Sequence, residues 1–104
     1  MDLVEKVWSG LEEVIDPELE VNIVDLGLVY DIQADANHNV KVTMTMTIPE
    51  CPLQDVIVSD VEKAIKRVPG VKNVEVNLVW EPAWTPARMT DWAIEEIKRR
   101  RALV

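Results

Sequence analysis

Cys51 is the residue best equipped for chemistry. It is the only thiol in the chain and lies in Thr47-Ile48-Pro49-Glu50-Cys51-Pro52, with a proline on each side. Proline is favoured at the first helical position, so Pro52 places Cys51 at a helix N-cap. Unpaired backbone N–H groups and the positive end of the helix dipole favour a thiolate there. Glu50 and Asp55 act in the opposite sense, through nearby negative charge. A thiolate held in this way is a nucleophile or a soft metal ligand. A thiol at the same place can also be a small apolar filler of a core. The local sequence leaves both readings open.

The turn Ile15-Asp16-Pro17-Glu18-Leu19 is the second candidate. Aspartate before proline commonly opens a turn through its own carboxylate, and on local grounds that plainer reading outweighs the functional one. In the functional reading Asp16 and Glu18 supply oxygen ligands, or a proton acceptor, beside a metal or thiol. Thr43, Thr45 and Thr47 form a row at strand spacing, natural for a sheet face because threonine is a good β-former. Thr47 differs because it directly precedes the Cys51 loop, where its hydroxyl could point into the same pocket. His38, the only histidine, falls in a polar turn and reads as a turn residue. The run from Trp80 to Pro86 holds two Trp and two further Pro positions around Ala83, and reads equally as a rigid lid or a partner surface.

Stoichiometry limits what these residues can hold. A cluster of iron and sulfur, or a structural zinc, usually takes four protein ligands, mostly Cys or His. One chain offers one Cys and one His. Ligation at Cys51 must therefore be shared with a second subunit, a partner or a small thiol, which describes a transient carrier or adaptor.

The surrounding pattern shows what positions these groups. Val4, Val7, Trp8, Leu11 and Ile15 follow helical spacing and predict a helix over 2–15, stopped by Pro17. A strand is expected over 27–34, with Leu28, Tyr30 and Ile32 on one face, then a hairpin turn over 35–39. Val40, Val42, Met44, Met46 and Ile48 alternate with polar residues and predict the clearest strand. A second helix should bury Leu53, Val56, Ile57, Val61, Ala64, Ile65 and Val68, ending at Pro69-Gly70. Val74, Val76, Leu78 and Trp80 predict a third strand. A last helix is expected from near Pro86, carrying Met89, Trp92, Ala93 and Ile97. The order α-β-β-α-β-α predicts a two-layer α/β (α+β) domain over residues 1–104. Its small mixed three-stranded sheet has helices on one face, with the second and third strands parallel.

Composition narrows the function classes. Of 104 residues 48% are apolar and 29% charged, the balance of an ordinary globular chain. Residues 1–50 hold eleven acids against two lysines, and the formal net charge is −8, which repels phosphate backbones and argues against nucleic acid. The run Lys98-Arg99-Arg100-Arg101 reads as cations on a last helical turn, where the dipole favours them. No apolar stretch has membrane-spanning length and no signal peptide is evident. With one Cys and no internal disulfide, a reducing cytoplasmic setting is expected.

Five segments occur in order: Asp16-Pro17-Glu18-Leu19, Asn22 to Tyr30, Thr43-Met44-Thr45-Met46-Thr47 leading to Cys51-Pro52, Val68-Pro69-Gly70-Val71, and Pro82-Ala83-Trp84-Thr85. On these the chain resembles the SufT/PaaD-like, MIP-eighteen type family of metal–sulfur cluster assembly proteins, as a minimal member. The resemblance implies the fold above and a role in maturing iron–sulfur proteins rather than stand-alone catalysis. It implies one pocket formed by Asp16, Glu18, Thr47 and Cys51, with transient iron or cluster contact at Cys51, Asp16 and Glu18. Implied partners are apo iron–sulfur proteins and other assembly proteins. A homodimer is expected, since it brings two Cys51 residues into one particle. The alternatives are a small enzyme with Cys51 as nucleophile, or an interaction module using the Trp84 loop.

Overall fold

The computed structural model describes residues 2–17, 19–47 and 54–102, with side chains as far as Arg99. Asp2 opens helix α1 (Leu3–Leu11), its carboxylate accepting the Glu5 N–H at 2.8 Å. That bond satisfies one of the donors that every helix start leaves unpaired. Val7 and Leu11 are completely buried, as the spacing predicts. The helix ends four residues short of Ile15. Beyond Leu11 the chain turns extended and Ile15 pairs antiparallel with Asn22. Extended backbone alternates its side chains, so Val14 goes in and Ile15, expected in the stripe, is 48% exposed.

Strands β1 (Val29–Ala34) and β2 (Asn39–Met44) form an antiparallel hairpin, and β3 (Asn73–Leu78) lies parallel to β2, giving the order β1-β2-β3. The hairpin turn is built on Asp35, whose carboxylate accepts from the backbone and side-chain nitrogens of Asn39 and from the Asn37 N–H. His38 takes positive φ in this turn, as a turn residue should. The bonds from Asn39 hold the Asp35 carboxyl below the usual carboxylate range.

The pairing register shifts between Val29 and Asp31. Val29 and Ile32 therefore enter the core and Tyr30 is left half-buried, where strict alternation from Leu28 would have buried it. In β2, Val40, Val42 and Met44 alternate inward as expected, but the strand ends at Met44 instead of running to Ile48. Thr45 and Met46 are then both buried. Ile48 lies outside the described residues.

Helix α2 (Gln54–Lys66) buries Ile57, Val61, Ala64 and Ile65, with Val68 just beyond. Val56 was expected in this stripe but is 50% exposed, because successive helical residues point about 100° apart and Ile57 takes the inward position. Leu53 lies outside the described residues. Helices α1 and α2 pack on each other, α1 on β1 and α2 on β3, making the second layer. Val21, Ile23, Leu26 and Leu28, from the turns before β1, complete the core.

The expected helix start at Pro86 is instead one turn of 3-10 helix (Pro86–Arg88), after which Met89 is extended. Helix α3 (Asp91–Ala102) begins beyond Thr90, whose hydroxyl accepts the Ala93 N–H at 3.2 Å. Ala93 is fully buried, and Trp92 beside it is 54% exposed. Among the described elements α3 has no helix or strand neighbour, and it meets the core through Ala93 and Ile97 and is tied to the Asp25 turn by Thr90. No helix among the described residues is long and apolar enough to cross a membrane.

Candidate functional site

The turn at Asp16 is built by its own backbone and carboxylate. The Asp16 N–H donates to the Val21 carbonyl at 3.0 Å, and its carbonyl accepts the Glu20 N–H at 2.7 Å. One carboxylate oxygen accepts the Leu19 N–H at 3.1 Å. Asp16 is only 5% exposed. The turn role that local sequence favoured is thus visible in the bonds of Asp16 to Leu19, Glu20 and Val21. Glu18 lies outside the described residues.

A series of backbone hydrogen bonds runs from this hairpin to Thr45, just beyond the end of β2. Ile23 N–H donates to Val14, Leu28 N–H to Ile23, and Thr45 N–H to Leu28, at 2.8 to 3.1 Å. Asp16 and the end of β2 therefore belong to one hydrogen-bonded framework. Thr47, half-buried, stands at its edge, and Gln54 opens α2. These two residues bracket Cys51, which lies outside the described residues, as do its neighbours from 48 to 53.

Thr45, expected on a sheet face in the row with Thr43 and Thr47, is instead buried. It is 1% exposed, and its hydroxyl has no hydrogen-bond partner among the described residues. Leaving such a hydroxyl unpaired costs about 1–3 kcal/mol. The strand pattern put Thr45 on the outer face with Thr43. Only the early end of β2, a tertiary effect, takes it out of that row.

His38 keeps its place in the turn, with Nδ1 3.1 Å from the Gly70 carbonyl oxygen. Trp84 is half-buried against the core and its indole N–H donates to the Leu26 carbonyl at 2.6 Å, which is the behaviour of a lid. Trp80 is 37% exposed. Lys98 and Arg99 lie on α3, where Arg99 pairs with Glu96. Among the described residues no group of three or more His, Cys, Asp or Glu is placed to hold a metal ion.

Comparison with known proteins extends this picture. The sequence profile of a family described as iron–sulfur cluster assembly proteins matches residues 4–78, from α1 through β3. The Fe–S protein maturation auxiliary factor YitW of Bacillus subtilis is 47% identical over 91 residues, covering 88% of this chain and 89% of that protein. The Fe–S protein maturation auxiliary factor SufT of Staphylococcus aureus is 41% identical over 80 residues, covering 77% of this chain and 91% of its own length. The crystal structure of a domain of unknown function, DUF59, from Bacillus anthracis superposes with a TM-score of 0.89 at 49% identity, covering 92% of each chain. The match takes in the Asp16 turn, the whole sheet and the Cys51 segment, and on it this chain belongs to the iron–sulfur cluster assembly protein family.

Proposed function

We propose that this chain is an iron–sulfur protein maturation factor that works as an adaptor or carrier, with residues 1–104 as one functional unit. Cys51, Asp16 and Glu18 make brief contact with iron or a cluster as cargo, and the Thr47 hydroxyl completes the pocket. The cargo then passes to an apo-protein, with other assembly proteins as further partners. The observation that carries this reading is the 47% identity, over nearly nine-tenths of both chains, with a maturation auxiliary factor. Ligand count supports the carrier form of it. A single Cys in 104 residues leaves cluster ligation incomplete, and incomplete ligation is what allows release. A homodimer supplies two such sulfurs in one particle, and a cytoplasmic setting keeps them reduced. No observation favours the alternative of a thiol enzyme.

The test is anaerobic maturation of an apo iron–sulfur client, comparing the parent with Cys51→Ser. The serine variant is expected to lose most of the stimulation at unchanged thermal stability. Equal stimulation by the two proteins would remove Cys51 from the mechanism.

A further inference from the structure

A second site lies at the same end of the sheet, where β1 begins and where β2 and β3 finish. Residues 81–90 are fastened to the turn at 25–27 at three places. The Trp84 indole N–H is bound to the Leu26 carbonyl. Thr90 donates its N–H to the Asp25 carbonyl at 2.9 Å and its hydroxyl to the Asp25 carboxylate at 3.0 Å. Between them the Arg88 backbone lies directly on Gly27, where any Cβ would overlap the Arg88 carbonyl oxygen, and Gly27 has φ of +78°. Both facts require glycine.

This fastening presents one side chain. The Arg88 guanidinium stacks over the Tyr30 ring, 4.6 Å from its centroid, and the Tyr30 hydroxyl is tied off by donating to the Pro82 carbonyl at 2.8 Å. The cleft around them, about 450 Å³, is lined by Gly27, Val29, Tyr30, Pro82 and Arg88. That volume suits a small ligand or a single side chain. The chain carries nineteen acids against eleven Lys and Arg, yet among the described residues no carboxylate pairs with Arg88. A stacked guanidinium uses its face on the ring and keeps its edge, a planar fork of N–H donors that matches a carboxylate in two parallel hydrogen bonds. The ring, Val29 and Pro82 offer an apolar wall for a short aliphatic stem. The segment bearing Arg88 lies beyond residue 78, where the family profile ends.

We propose that the Tyr30–Arg88 cleft is a carboxylate-binding site, accepting a carboxylate on a short aliphatic stem from a small acid or from an acidic side chain of a partner protein. The chemistry is the same for both sources, and it is independent of the cargo chemistry at Cys51.

The test is an NMR titration of the full-length protein, following the backbone signals of Gly27 and Tyr30 and the Nε–H of Arg88. The probes are succinate, a glutamate-containing hexapeptide, phosphate, and sodium chloride at matched ionic strength. Saturable shifts at these three residues with succinate or the peptide, absent with chloride and weaker with phosphate, are expected. Saturation by succinate identifies a small acid as a sufficient ligand, and saturation by the peptide alone identifies a protein side chain. In R88Q the affinity should fall about tenfold or more, the loss of a charged two-bond contact. R88K keeps the charge without the fork and should weaken binding severalfold, so it answers the same question should R88Q lose its native spectrum. Equal response to chloride or phosphate, unchanged binding in the Arg88 variants, or no saturation by either carboxylate overturns the proposal. Because no iron or client is present, failure here leaves the maturation reading untouched.

Discussion

Two stretches with little regular structure meet at one end of the sheet, and they are held in different ways. Residues 14–28 send Val21, Ile23, Leu26 and Leu28 into the core, each at most 1% exposed, and link Val14 to Thr45 through backbone hydrogen bonds. Residues 79–90 bury none of their side chains fully, and are held by polar bonds from Trp84 and Thr90, the partial packing of Trp84 and Met89, and the close approach of Arg88 to Gly27. Irregular backbone thus tells nothing by itself about how firmly a segment is held. The first stretch should open only when the whole protein unfolds. The second should detach more readily, because only Trp84 and Met89 pack against the core and neither is fully buried.

The largest effect comes from breaking the first stretch. Leu26→Ala removes a fully buried side chain from the core and should cost about 2–5 kcal/mol in denaturant unfolding. A loss under about 1 kcal/mol would show that the turn collapses around the gap and contributes less than its burial suggests. Next comes the joint between the two stretches. Gly27→Ala places a Cβ at positive φ against the Arg88 backbone and should cost about 1–3 kcal/mol. Hydrogen exchange separates local from global damage. Protection should fall at Trp84, Arg88 and Thr90 well before it falls at Ile23 and Leu28. Uniform loss across both stretches would mean that they form one cooperative unit.

How much of this was legible in the sequence follows the same division. Strict alternation read β2 correctly as far as Met44, and among the described residues helical spacing read the buried face of α2 except at Val56. These are local periodicities enforced by a single face of contact. The misreadings lie where a partner distant in sequence decides. Ile15 kept helical spacing by coincidence while its backbone was pairing with Asn22. Tyr30 lost its inward place to a register shift against β2. Pro86 signalled a helix start and obtained only one 3-10 turn, whereas the hydroxyl of Thr90 was the true cap, a signal present in the sequence. At the candidate site, the turn role of Asp16 was readable because it is local. Arg88 was not, since its significance comes from a ring and a glycine roughly sixty residues earlier.

The smallest effect is also the sharpest comparison, because one chemical change should act with opposite sign at two threonines, one bonded to the first stretch and one within the second. Thr45 is bound through its backbone to Leu28 and belongs to the buried side, yet its hydroxyl has no partner among the described residues. Thr45→Val keeps the shape and removes an unpaired polar atom, so stability should rise by about 1 kcal/mol. Thr90 is exposed, but its hydroxyl both donates to the Asp25 carboxylate and accepts from the Ala93 N–H. Thr90→Val removes a tether and a helix cap together and should cost about 1 kcal/mol. Thermal unfolding of the two variants side by side measures the difference directly. A destabilised Thr45→Val would place a native hydrogen bond at that hydroxyl. A neutral Thr90→Val would mean that the Thr90 backbone bond to Asp25 and the core contacts of Ala93 and Ile97 hold α3 without the hydroxyl. Opposite signs from the same substitution would show that exposure is a poor guide to what a hydroxyl contributes, and that its partners decide.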